Sequence, residues 1–187
     1  MNKHVLFLVG SAREPGHIGN TEWLARCAAN ALPPDTMQTW LPLSQMQIPP
    51  FVDQRHTQGV YPSPTTGSDL RRALDATMSA TDIVFVSPVY WYAPPTAIKL
   101  YLDHWSAWMR VPNRGFKEAM AAKSLSAIVT NGSRETAEST VKCYELSAQF
   151  VSMRWAGSLW GLGGLPDALK ADAIAVEHAK SFLRYIR

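Results

Sequence analysis

Residues 10–21 read GSAREPGHIGNT. They follow a compact apolar run, Val5–Val9, and precede EWLARCAANAL, which has the apolar spacing of a helix. A turn from a buried strand into a helix N-terminus aims backbone N–H groups at whatever sits there, and the helix dipole adds positive potential. Glycines let the backbone approach closely. Ser11, Asn20 and Thr21 add hydroxyl and amide donors, and Arg13 adds charge. Such a turn suits a phosphate. The pyrophosphate fingerprint G-x-G-x-x-G fails because Ser11-Ala12 follows Gly10, and no Gly-Lys-Ser/Thr of a triphosphate loop occurs. A single terminal phosphate fits what remains. The competing reading is an ordinary strand–helix turn with a Thr or Asn N-cap.

Two further stretches share this pattern. In SPVYWYAPPTAIKLYLDHW (Ser87–Trp105), Tyr90, Trp91 and Tyr92 follow a buried strand directly, and Pro94-Pro95 opens a helix, where proline is well placed. TNGSRE (Thr130–Glu135) ends another apolar run, and its plain reading is a turn with Ser133 as N-cap.

The elements that must position these stretches alternate. Strand-like runs are His4–Val9, Thr36–Leu41, Ile83–Ser87, Ser124–Thr130 and Ser158–Gly161. The first, third and fourth are almost continuously apolar, as strands buried on both faces of a parallel sheet are. Helical stripes lie between them. One from Trp23 to Leu32 stops at Pro33-Pro34. Others run Leu70–Met78, Ile98–Met109 and Arg134–Met153. A last one starts near Pro166-Asp167 and reaches the C-terminus, with Lys180, Arg184 and Arg187 in its later turns. Five βα units predict a single α/β domain over 1–187 with helices on both faces of a doubly wound sheet. For strand order 2-1-3-4-5, ligands bind beyond the carboxyl ends of strands 1 and 3. The phosphate turn and the aromatic loop then become neighbours. That pairing suits a flat heteroaromatic ring on a phosphorylated chain, with Thr130–Ser133 closing the other side. Otherwise the aromatics form a surface cluster or a dimer contact. Ser44–Gly67 has no period, and is either a functional loop or a tolerated excursion.

Composition narrows the classes. The chain has 187 residues, 47% hydrophobic and 18% charged, enough for one sizeable core. Its seven tryptophans are core, binding surface or subunit interface. The net charge of +3 is scattered, which argues against a nucleic-acid stripe and against an acidic electron-carrier surface. Two cysteines, Cys27 and Cys143, fall in predicted helices without metal-ligand spacing, as two buried free thiols in a reducing cytoplasm would. No apolar run is long enough for a signal peptide or a membrane span. The expectation is a cytoplasmic protein with no nucleic acid, membrane or metal partner.

Together these motifs resemble the flavodoxin-like NAD(P)H-dependent FMN reductases and quinone reductases. Gly10-Ser11-Ala12-Arg13 and Gly19-Asn20-Thr21 are similar to that family's G-S-x-R…G-N-T turn. Ser87 to Asp103 is similar to its S-P-V-Y-W-Y…P…K…D motif. The resemblance implies a flavodoxin-like three-layer sandwich and a homodimer or homotetramer with FMN at the subunit edge. It places the FMN phosphate on Ser11, Arg13, Gly19, Asn20 and Thr21. It places the ring against Pro88, Val89, Tyr90, Trp91 and Tyr92, and against Thr130, Asn131, Gly132 and Ser133. Two features depart from the pattern. The stretch between Arg13 and Gly19 is a few residues longer, and Ser44–Gly67 lacks the cysteine cluster of the iron–sulfur relatives.

The resemblance also implies NAD(P)H as co-substrate and a small acceptor such as a quinone or free flavin, both using one site in turn. Flavin reduction requires no acid–base residue. Tyr90 and His104 are the candidates for giving a quinone its proton, although His104 sits among tryptophans and is better read as a packed polar residue. Arg13, Arg55 and Arg114 are the candidates for meeting a 2′-phosphate. The alternatives are a flavodoxin-type electron-transfer protein and a flavin-free interaction domain.

Overall fold

Strand β1 (His4–Val9) is buried at every position after His4, and β3 (Asp82–Pro88) and β4 (Ser124–Asn131) are buried almost throughout. Such strands need cover on both faces. The structure, a computed structural model, describes residues 3–184. With β2 (Met37–Pro42) and β5 (Arg154–Leu162) they form one parallel sheet of order β2-β1-β3-β4-β5. Side chains alternate across it. Leu6, Leu8, Ile83, Phe85, Leu125 and Val129 face a core shared with α2 (Asp69–Ser79), α3 (Thr96–Trp108), α4 (Phe116–Ala121) and α5 (Arg134–Phe150). Val5, Phe7, Val84, Val86 and Ile128 face α1 (Asn20–Ala29) and α6 (Ala173–Phe182). This is the three-layer flavodoxin-like sandwich.

The differences from expectation have local causes. β5 begins at Arg154, not Ser158, because the first half of this edge strand holds no fully buried residue and only its second half reads as apolar. α4 is too short to show a period and is held by Phe116 and Met120, one turn apart. The C-terminal helix does not start at Pro166-Asp167. A 3₁₀ turn (Ala168–Ala171) intervenes, and Asp172 caps α6 by accepting from the Ala175 N–H. Lys180 lies in the last turn of α6 and Arg184 just beyond it, whereas Arg187 lies outside the described residues. Cys27 and Cys143 are free but half-buried rather than buried, and burial pushes both thiols up.

Ser44–Gly67 folds back over α3. The Tyr61 hydroxyl accepts from the Gln54 N–H at 2.6 Å, and the His104 imidazole donates to the Pro49 carbonyl at 2.9 Å. Phe51 meets the His104 ring edge-on. Arg55 pairs with Asp53 and holds its carboxyl well below the usual carboxylate range. Among the described residues no helix is long and apolar enough to cross a membrane.

Candidate cofactor site

The carboxyl ends of β1, β3 and β4 meet at one cavity of about 220 Å³. Gly10 closes the end of β1 by donating to the Val86 carbonyl at 2.9 Å. A Cβ at Gly10 would sit 2.6 Å from Ile98, so the strand end packs directly against the start of α3. Val89 donates to the Thr130 carbonyl at 3.1 Å and ties β3 to β4. The Thr21 and Thr130 hydroxyls, both buried, bond each other at 2.5 Å and clasp the first loop to the fourth.

Two helices start here without side-chain caps. The N-cap of α1 is Gly19, so the N–H groups of Asn20, Thr21 and Glu22 have no acceptor among the described residues. The N-cap of α5 is Ser133, whose hydroxyl donates to the Glu135 carboxylate instead of accepting from the helix. The N–H groups of Gly132, Ser133 and Arg134 likewise have no acceptor among the described residues. α2 and α6, which start elsewhere, are capped by Ser68 and Asp172, whereas α3 and α4 start after Pro95 and Gly115 without a side-chain cap. Both plain-turn readings from the sequence required a capping side chain, and neither cap forms. Orphaned N–H groups at a helix start are an anion site.

Ser11, Arg13, Gly19, Asn20 and Thr21 line one side of the cavity. Pro88, Val89, Tyr90, Thr130, Asn131 and Gly132 line the other. Arg13 lies across Gly19, where a Cβ would stand 2.8 Å from its Nε, and its guanidinium has no partner among the described residues. The donor set, a positive charge and orphaned N–H groups on one side with flat backbone and an aromatic ring on the other, fits a phosphorylated flavin.

Three sequence-predicted residues do not line this cavity: Trp91, Tyr92 and Ser133. Tyr90 and Ala93 exchange two backbone hydrogen bonds, and Trp91 and Tyr92 form the turn between them, with φ of 51° and 61°. Positive φ at both central residues marks a type I′ turn, which prefers Asn-Gly. Two aromatics there are strained, and they project outward, Trp91 being 92% exposed. The double replacement Trp91→Asn, Tyr92→Gly is therefore expected to stabilise the fold by about 1–2 kcal/mol. An unchanged or lower thermal midpoint would contradict that strain. His104 is buried beneath Ser44–Gly67 and is not part of the cavity.

Two lining residues escaped the sequence reading, Glu22 and Gly164. Gly164 belongs to the β5–α6 connection, which crosses the turn where Asn20 donates to the Leu165 carbonyl at 2.9 Å. The signal was present in Gly163-Gly164-Leu165-Pro166. The extra residues after Arg13 turn away from the cavity. Glu14, His17 and Ile18 wall a second one, of about 330 Å³, with Trp40 and Arg26 opposite. Trp40 is stacked on Phe7 at 4.0 Å and carries Arg26 over its ring.

Comparison with known proteins decides the family. The family model for NADPH-dependent FMN reductases matches residues 4–158. The chain belongs to that family. It is an oxidoreductase that uses FMN and a nicotinamide donor. A Bacillus subtilis (strain 168) protein, YwqN, whose name describes an NAD(P)H-dependent FMN-containing oxidoreductase, is 25% identical over 169 residues, covering 89% of this chain and 90% of its own. Two solved structures share the fold. The Trp repressor binding protein from Bacillus subtilis superposes with a TM-score of 0.72 at 21% identity, covering 98% of this chain and 99% of its own. An FMN-dependent NADH-azoreductase from Bacillus anthracis, solved with FMN, gives 0.66 at 11% identity, covering 96% and 97%.

Proposed function

We propose that this reductase passes hydride from NAD(P)H, through FMN held in the β1–β3–β4 cavity, to a small acceptor such as a quinone or free flavin. One observation carries the placement: two uncapped helix starts converge on a cavity at the topological switch point. FMN supplies the hydride chemistry. The chain supplies position and charge. Ser11, Arg13 and the first N–H groups of α1 hold the phosphate, with Gly19, Asn20 and Thr21 forming its cradle. Pro88, Val89 and Tyr90 support the ring, and the N–H groups of Gly132 and Ser133 favour negative charge on its edge. Tyr90, 43% exposed, stands at the open face where donor and acceptor take turns. Of the arginines considered for a 2′-phosphate, Arg55 is paired with Asp53 and Arg114 with Asp75, and Arg13 is taken by the FMN phosphate.

The active form is proposed to be a homodimer. An apolar groove between α3 and α5, lined by Leu102, Met109, Leu146 and Phe150, stays open on the single chain. At Ser139, which lines this groove, the hydroxyl donates to the Tyr92 carbonyl of the aromatic loop. Two free thiols fit a reducing cytoplasm.

The test is the visible spectrum of the protein loaded with FMN, freed of excess, and then given NADPH without oxygen. Retained flavin bands that bleach are expected. Bands that resist bleaching would favour an electron shuttle, and loss of flavin on desalting would remove the cofactor from this cavity.

A further inference from the structure

We propose that Trp160 is a positioning residue for the flavin site, acting through the side chain of Asn131. The proposal rests on the reading of the β1–β3–β4 cavity as an FMN site. Trp160 stands on the edge strand β5, half-buried, beside Val129 of β4. Its indole N–H donates to Asn131 Oδ1 at 2.8 Å. The Asn131 Nδ2 donates to the Thr136 hydroxyl at 2.5 Å, and that hydroxyl donates to the Ser133 carbonyl at 2.9 Å. Gly163 braces the same residue by donating its N–H to the Asn131 carbonyl at 2.7 Å. A Cβ at Gly163 would lie 3.1 Å from the Asn131 nitrogen, so the β5 backbone abuts the loop.

An indole nitrogen donates and never accepts. Trp160 therefore fixes which end of the Asn131 amide faces it, and the other end must face Thr136. Both ends of the amide are engaged within the protein. Asn131 thus contributes its backbone to the cavity, while its side chain sets the path of the loop that follows. That loop presents the unbonded N–H groups of Gly132 and Ser133. The chain from Trp160 to Asn131 to Thr136 to the Ser133 carbonyl spans the loop from before Gly132 to after it. It holds those two donors in one orientation. Preorganised donors favour the added negative charge of a reduced ring more than donors that must first be ordered.

Trp160→Phe keeps the ring and deletes the donor. The expected result is FMN binding weaker by about five- to tenfold, the loss of one hydrogen bond at a preorganised site. The flavin midpoint potential should fall as well, because the reduced form loses more than the oxidised one. Thr136→Val cuts the same chain at its other end. It should move both quantities the same way, and the double variant should do little more than either single one. Trp155→Phe, on the same strand but outside this chain of bonds, should leave both unchanged. FMN affinity is read by quenching of flavin fluorescence and potential by anaerobic redox titration. A purely structural role for Trp160 would lower thermal stability without moving the potential. Wild-type affinity and potential in Trp160→Phe would overturn the proposal. A wild-type protein that binds no FMN would overturn the cavity assignment itself, and this role with it.

Discussion

Arg13→Glu is expected to weaken FMN binding by about 100-fold or more while leaving thermal stability almost unchanged. The Arg13 guanidinium has no partner among the described residues and lies across Gly19 beside the uncapped start of α1. Its removal deletes one charge-assisted hydrogen bond to a phosphate, about 1.5–3 kcal/mol. The new carboxylate adds repulsion of about 1 kcal/mol or more at a few ångströms. The sum is about 2.5–4 kcal/mol, and at about 1.4 kcal/mol per tenfold in affinity it centres on about 100-fold or more. Glu14 stands close by in the adjoining wall and deepens the unfavourable charge, whereas Glu22 is paired with Arg26. Arg13 itself is exposed, so the folded state loses little by the change. Arg13→Gln, which removes charge without reversing it, should fall between. A flavin titration giving Arg13→Glu a dissociation constant within threefold of wild type would show that the phosphate lies elsewhere.

The sequence was most legible where burial and chemistry coincide. Strands β1, β3 and β4 are buried on both faces, so their apolar runs mark their limits to within about one residue. The loops after them line the candidate cavity because parallel strands all deliver their carboxyl ends to one edge. Residues whose role depends on direction were illegible. Trp91 and Tyr92 lie in the aromatic loop, but the tight turn between Tyr90 and Ala93 points them outward. Asn131 lies on the site loop, yet its amide is used by Trp160 and Thr136. Gly164 reaches the cavity through a connection between β5 and α6 that no period announces. Glu22 sits in a helix whose start was read only for its donors. His104 was ambiguous in sequence because a buried imidazole and a catalytic one look alike. The Pro49 carbonyl at 2.9 Å settles what its ring nitrogen does.

Phe85→Ala is expected to cost about 3–5 kcal/mol of stability, the usual range for emptying a large ring from a packed core. Phe85 is fully buried at the centre of the sheet. Its ring centroid lies 4.7 Å from that of Tyr144, 6.2 Å from Tyr101 and 6.5 Å from Trp105. The three remaining rings cannot collapse into the gap without leaving their own partners. Tyr101 is bonded to the Thr77 hydroxyl and Tyr144 to the Ser87 hydroxyl, each at 2.6 Å. Burial pushes both phenols well above their ordinary range, so they stay neutral donors there. At about 2–4 °C per kcal/mol for a chain of this size, the midpoint should drop by roughly 10 °C. FMN affinity should fall far less. The end of β3 is held by backbone bonds that do not involve these rings, Gly10 to Val86 and Val89 to Thr130. Denaturant unfolding of the FMN-free protein measures the first quantity and flavin titration the second. A loss of stability below about 1 kcal/mol would mean that this cluster repacks freely. A loss of FMN binding as large as the loss of stability would mean that the cavity floor depends on Phe85 directly, through Tyr144, instead of on the backbone bonds at the strand ends.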